Sequence, residues 1–324
     1  MESLLKTPDA VRQAKEAQKG WHWALEILVF VLLFVVCTFG EILIILPFEL
    51  VLFMGNQRYL SALESDDMEY LMEVTSEIIT GDVAVLLSLF ATSVMLVLVL
   101  LFCKLIQKRK MSSLGFIRQS CIKEYLKGIL FGFLLFSAAV FICILTGSLE
   151  LSYTPGRFAV SSFLLFLMGY MIQGMAEEVL CRGYFMVSLG RRYPMVAAVV
   201  LNATAFAALH LLNPGIAPLA IINLILFGIF ASVCFIYTEN LWLIGALHSV
   251  WNLLQGNVYG IKVSGMENTC SIFSSEMTKG REIFHGGDFG LEGGLAVTIV
   301  LMAGIVVLLV LINKKKDTAA EEGI

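Results

Sequence analysis

Three short segments carry side chains able to move protons or hold an oxyanion. The first holds Glu177 and Glu178 with Arg182 four residues beyond Glu178. The second places Phe206 four before His210, and the third places His248 four before Asn252. On a helix, Glu178 and Arg182 share a face and can pair, while Glu177 points about 100° away. A carboxylate balanced between burial and a nearby cation suits a general base. His248 and Asn252, one turn apart, can both donate hydrogen bonds, which is what the oxyanion of a tetrahedral intermediate needs. Taken singly, each segment also has a structural reading. The carboxylates could form a charge cluster at a helix end, and His210 or the His248–Asn252 pair could hydrogen-bond a neighbouring helix.

The surroundings make the combination unusual. The chain has 324 residues, 58% hydrophobic and 15% charged, with a mean hydropathy of +0.86. A soluble domain carries about 25% charged residues. A span needs about 20 apolar residues, and eight segments approach this: 22–46, 83–107, 127–147, 158–181, 195–212, 216–237, 241–255 and 291–313. The expected fold is all-α, a polytopic transmembrane helical bundle with spans four to seven as its core. The seventh segment is too short to cross unaided and implies protein cover or a wet cavity. Ionisable groups in such helices cost several kcal/mol unless paired or hydrated, so they point to function. Spans one to three contribute little beyond Glu41; spans four, five and seven carry the rest, with Asn202 two turns before His210. The small residues Ala203, Ala205, Ala207 and Ala208 allow close helix approach there.

With the N-terminus inside, seventeen of twenty-two Lys and Arg fall on the inner side, while the 55–82 loop is acidic. The bias predicts both termini in the cytoplasm and Glu177–Glu178 near the cytoplasmic end of span four. The polar first twenty residues lack a signal-peptide pattern, so the first span is expected to insert uncleaved. A net charge of −4 gives no reason to expect a nucleic-acid partner. The seven cysteines lack CxxC spacing and predict neither a disulfide framework nor a zinc ribbon. His22 and His285 are expected to be solvated, and Lys314, Lys315 and Lys316 to anchor the last helix at the inner surface. No GxxxxGK[ST] pattern surrounds the Gly pairs at 286–287 and 293–294, and no internal repeat suggests a transporter's inverted halves.

In order and placement, these residues resemble the EExxxR, FxxxH and HxxxN motifs of the CPBP (Abi) family. That family includes CAAX prenyl endopeptidases and bacteriocin-processing or immunity proteins. The resemblance spans about 158–256, and Ser113-Leu114-Gly115-Phe116 resembles the family's approach to its core. It implies an intramembrane endopeptidase in which Glu177 activates water with help from His210. His248 and Asn252 would form the oxyanion site, Glu178 and Arg182 would support Glu177, and Phe206 would pack on the site wall. The implied organisation is a tail (1–20), N-terminal helices and loops (21–157), the catalytic core (158–256), an outer loop (257–290), and a last helix with its tail (291–324). Zinc held by Glu177, His210 and His248 is one option, but HExxH spacing is absent, and a metal-free water mechanism is preferred. Expected partners are membrane lipid and a membrane-associated, prenylated or bacteriocin-leader peptide, in a bacterial plasma membrane. Two alternatives stay open: an ion- or proton-coupled transporter using Glu and His as a relay, and a non-catalytic immunity protein.

Overall fold

The computed structural model describes residues 5–267 and 269–321, without the side chains of Lys316, Ala319, Ala320 and Glu321. It is a bundle of helices. The chain opens with α1 (Asp9–Ala17), α2 (Trp23–Met54), α3 (Gln57–Glu64), α4 (Met68–Ile79), α5 (Asp82–Leu101) and α6 (Cys121–Leu145). Strand β1 (Leu149–Tyr153) then leads to α7 (Val160–Glu178) and α8 (Val187–Gly190), joined by a π-helical stretch, Val179–Met186. After these come α9 (Met195–Leu209), α10 (Pro218–Thr238), α11 (Leu241–Leu253), β2 (Phe273–Met277), α12 (Glu282–His285) and α13 (Leu295–Glu321).

Six helical rods among the described residues are long and apolar enough to cross a membrane: Trp23–Met54, Asp82–Ile106, Arg118–Leu145, Val160–Gly190, Pro218–Thr238 and Leu295–Lys315. The chain is an integral membrane protein. All eight expected segments are helical, but α9 with 15 residues and α11 with 13 fall short of crossing length. The fifth segment stops at Leu209, not 212, because Pro214 disfavours helix before it and Gly215 takes a left-handed φ of 72°. The first segment continues beyond 46 to Met54, carrying Pro47 inside the helix. The fourth runs on to Gly190, so Glu177 lies thirteen residues before its end, about 20 Å at 1.5 Å per residue. Glu177 is therefore deep in the bundle, not at a helix end.

At one face of the bundle, α1 lies against the 111–114 turn, where Ser112 donates to Gln13 at 2.6 Å. Two ion groups lie there, and the first corrects the expectation that spans one to three contribute little beyond Glu41. Glu26, in α2, is fully buried and accepts from Arg191 at 3.1 Å and from the Trp21 backbone at 3.0 Å. Arg109 is buried and donates to the carbonyls of Ser113 at 2.7 Å and Gly183 at 2.9 Å. Burial pulls its pKa down to about 10, which still leaves it charged at neutral pH. At the opposite face, β1 and β2 pair antiparallel with Leu149 opposite Met277 and Tyr153 opposite Phe273. His285 there is not solvated: it is 2% exposed, with Nε2 3.1 Å from the Thr278 carbonyl and Nδ1 accepting from the Gly287 N–H. The two short stretches of chain around it fold back on each other, which enclosed a residue expected in open loop. His22 is exposed and caps α2. Lys315 lies 5.8 Å from the Tyr237 ring, and the Lys316 side chain lies outside the described residues.

Glycines set the closest helix contacts. A Cβ on Gly174 of α7 would meet Ser249 Oγ at 2.6 Å, and one on Gly132 of α6 would meet the Leu247 carbonyl at 2.7 Å. Helix α11 is thus pressed between α6 and α7 at backbone distance, which fixes the depth of His248. All seven cysteines are free.

Breaking the Glu26–Arg191 pair from one side leaves a buried charge alone, a loss of about 3–5 kcal/mol. Thermal unfolding of the detergent-solubilised protein should therefore fall sharply for Glu26→Gln, and the double variant Glu26→Gln/Arg191→Met should recover most of the loss.

Candidate active site

Helix α7 supplies the centre of the site. Arg182 Nη1 donates to Glu178 Oε1 at 2.9 Å, across the junction where α-helical turns widen into π turns, and both side chains are fully buried. The same Oε1 lies 2.9 Å from His248 Nδ1 of α11. A carboxylate oxygen only accepts, so Nδ1 carries the proton and Nε2 faces away from Glu178. That Nε2 is 3.9 Å from Glu177 Oε2. The gap is too long for a direct hydrogen bond and suits a water touching both groups.

Glu177 is held from its other side. Gln173, one turn earlier, donates Nε2 to Glu177 Oε1 and accepts Asn252 Nδ2 on its own Oε1 at 2.9 Å. Asn252 has a second amide hydrogen left for a ligand. Glu177 Oε2 has no hydrogen-bond partner among the described residues, although that atom is buried. His210 caps the C-terminus of α9, and its Nδ1 lies 2.9 Å from the Phe206 carbonyl. This contact protonates Nδ1 and leaves Nε2 as an acceptor in the neutral ring. Phe206 does more than pack: its ring lies 4.6 Å from the Arg182 guanidinium carbon and 4.8 Å from the His210 ring. Arg182 has Nε and Nη2 without hydrogen-bond partners, so the aromatic face takes part of its charge.

Glu177, His210, His248, Asn252 and Phe206 line a single cavity of about 240 Å³. Glu178 and Arg182 stand behind its wall. The geometry pairs Glu177 with His248, whereas the resemblance implies His210 as its partner. Gln173 and Asn223 also line the cavity and escaped the sequence reading. Gln173 lies on the Glu177 face by the same four-residue rule that paired Glu178 with Arg182. Asn223 is a buried amide in α10 that donates to the carbonyls of Glu292 at 2.8 Å and Gly294 at 2.9 Å, tying α10 to the start of α13. Glu41 of α2 lies within electrostatic range of Glu177 and has a buried oxygen without a hydrogen-bond partner among the described residues. Asn202 points elsewhere, to Ser232 of α10 at 3.0 Å.

Zinc needs three protein ligands close together. Among the described residues no three His, Cys, Asp or Glu side chains are gathered closely enough to hold a metal ion. Glu177 and His248 approach each other, but His210 does not join them, so the donor set does not fit zinc as arranged.

The fold and cavity first define a class: an integral membrane protein with a carboxylate–histidine centre inside its helical bundle. Residues 159–254 match the family model described as Rce1-like, type II CAAX prenyl endopeptidase, and this domain is consistent with an intramembrane protease of the CPBP family. The match covers a little under a third of the chain and supports a CAAX-type protease, a hydrolase acting within the membrane. No curated protein and no solved structure matches.

If Gln173 positions the two groups it bridges, Gln173→Leu should lower kcat about 10²-fold with little change in KM. Gln173→Asn, which keeps the amide on a shorter arm, should lose as much, and unfolding midpoints close to wild type would separate positioning from misfolding.

Proposed function

We propose that this chain is an intramembrane endopeptidase that hydrolyses a peptide bond of a membrane-associated peptide with a water activated by Glu177. The observation that carries the proposal is the free, buried Oε2 of Glu177 at 3.9 Å from His248 Nε2, inside a cavity that also holds His210 and Asn252. A water bound between Glu177 and His248 gives its proton to Glu177 as its oxygen bonds to the carbonyl carbon. The oxyanion accepts the spare N–H of Asn252. The carbon–nitrogen bond then breaks, and the proton held by Glu177 passes to the departing amine.

The other residues serve this centre. Glu178 fixes the ring and tautomer of His248, Arg182 balances the charge of Glu178, and Phe206 carries the guanidinium. His210 offers its Nε2 to the substrate or to the proton on its way to the amine. No step requires a metal, and we propose a metal-independent reaction. The substrate is a peptide embedded in or attached to the membrane; a prenylated CAAX-type peptide and a bacteriocin-like leader both fit this description. The bias of Lys and Arg toward the face of α1 supports cytoplasmic termini, in a plasma membrane of bacterial type.

The test uses purified, reconstituted protein and a fluorogenic membrane peptide. Glu177→Gln and Glu177→Ala should each lose about 10²–10⁴-fold in kcat while unfolding at the wild-type temperature, and His248→Ala should follow. Persistent cleavage in the Glu177 variants would refute the role of the carboxylate. Cleavage should survive verified removal of metal by chelator; its loss, restored by zinc, would refute the metal-independent reaction. Ion flux through the protein with no hydrolysis would favour the transporter.

A further inference from the structure

The cavity belongs to one side of the bundle. Val85 and Ser88 line it from the start of α5, Asn223 from the start of α10, and Val297 from the start of α13. Ser264 and Met266 line it from the loop between α11 and β2, and Met266 is 38% exposed. All six lie toward the face that carries the β1–β2 pair. Beneath Glu177, toward the other face, the chain is sealed. Val179, Leu180, Cys181, Arg182, Tyr184, Phe185, Met186 and Val187 each have zero exposure, and α1 with the 107–120 segment covers the far end.

Charge separates the same two faces. The segments at the cavity face, 55–82, 147–159 and 256–294, hold thirteen Asp and Glu against five Lys and Arg. Apart from the internal Arg182, the other sixteen Lys and Arg lie at the sealed face: in the first 20 residues, between 104 and 127, at 191–192 and at 314–316. Cytoplasmic loops are the Lys- and Arg-rich ones, which puts the sealed face inside the cell and the cavity mouth outside.

We propose that the chamber is served from the non-cytoplasmic side, so that its substrate is a polypeptide segment exposed on, or emerging into, the outer half of the membrane. A tail held in the cytoplasm would meet the sealed end. This deepens the proteolytic reading and rests on it. It also replaces the expectation, from the position of Glu177 in span four, of a site near the cytoplasmic face.

The experiment takes the full-length chain with Cys121→Ser, because Cys121 is the half-exposed native thiol. Lys15→Cys reports the sealed face and Glu73→Cys the cavity face, each labelled with a membrane-impermeant maleimide in intact cells and in proteoliposomes of known orientation. The substrate is a soluble fluorogenic peptide that cannot cross the bilayer, first shown to be cleaved in detergent. Absence of cleavage in detergent would count against the proteolytic reading itself. With that cleavage in place, vesicles with the cavity face outward should cleave external peptide and those with the sealed face outward should lose it. In intact cells Glu73→Cys should label and Lys15→Cys should not. Met266→Cys, at the rim, should lose activity when the maleimide is added from the cavity side and keep it when added from the other. Cleavage only with the sealed face outward, equal cleavage from both sides, cleavage from neither side, or labelling of Lys15→Cys in intact cells would each overturn the proposal.

Discussion

A single carboxylate oxygen organises the centre of this protein. Glu178 Oε1 receives Arg182 from its own helix and His248 from α11, both at 2.9 Å, with no exposure to solvent. A charge of this kind inside a membrane protein is tolerable only when paired. The pairing sets the rotation of α7, the tautomer of His248 and, through the opposite edge of that ring, the position of whatever lies beside Glu177. Two glycines complete the arrangement. Gly174 admits Ser249 of α11 at backbone distance and Gly132 admits Leu247, so the donor and the acceptor of the bond are brought to their depth by small residues that carry no chemistry.

The π-helical stretch Val179–Met186 has a related role. An unbroken α-helix would carry the later residues round by 100° each, and widened turns change that phase. Such stretches are frequent at functional sites. Here one begins immediately after Glu178 and contains Arg182. The two neighbouring carboxylates, about 100° apart on α7, serve different sides: Glu177 looks into the cavity with Gln173, and Glu178 looks into the packed interior, where the π stretch supplies Arg182.

Much of this was legible in the sequence because helical periodicity is a local property. The spacing of Glu178 and Arg182 predicts their pair, the divergence of Glu177 follows from the same geometry, and the shortness of the seventh segment signals protein cover or a cavity, of which the cover is plain in the packing of α11. The family resemblance named the residues that share the cavity. What escaped depends on chain segments far apart. Glu26 and Arg191 are 165 residues apart, and no local pattern links them. Asn223 takes its meaning from carbonyls near Gly294, and His285 from a loop that folds over it. The end of the fourth segment was misplaced because the polar run at 177–182 resembles a headgroup boundary when burial is unknown. Ending the segment there puts the carboxylates at a helix end, whereas the longer helix carries them into the bundle interior.

The brevity of α9 bears on the membrane as much as on the site. Fifteen helical residues extend about 22 Å, against a hydrocarbon core of about 30 Å. Yet Val196 and Val200 on its outer side are 42% and 52% exposed, and Thr204 and Ala208 continue that exposed stripe. Lipid touching this stripe meets a hydrophobic surface shorter than itself, and the bilayer answers such mismatch by thinning locally. The dent would lie beside His210, at the end of α9 where the cavity begins. A bilayer matched to α9 would thus be thinnest at the wall of the chamber.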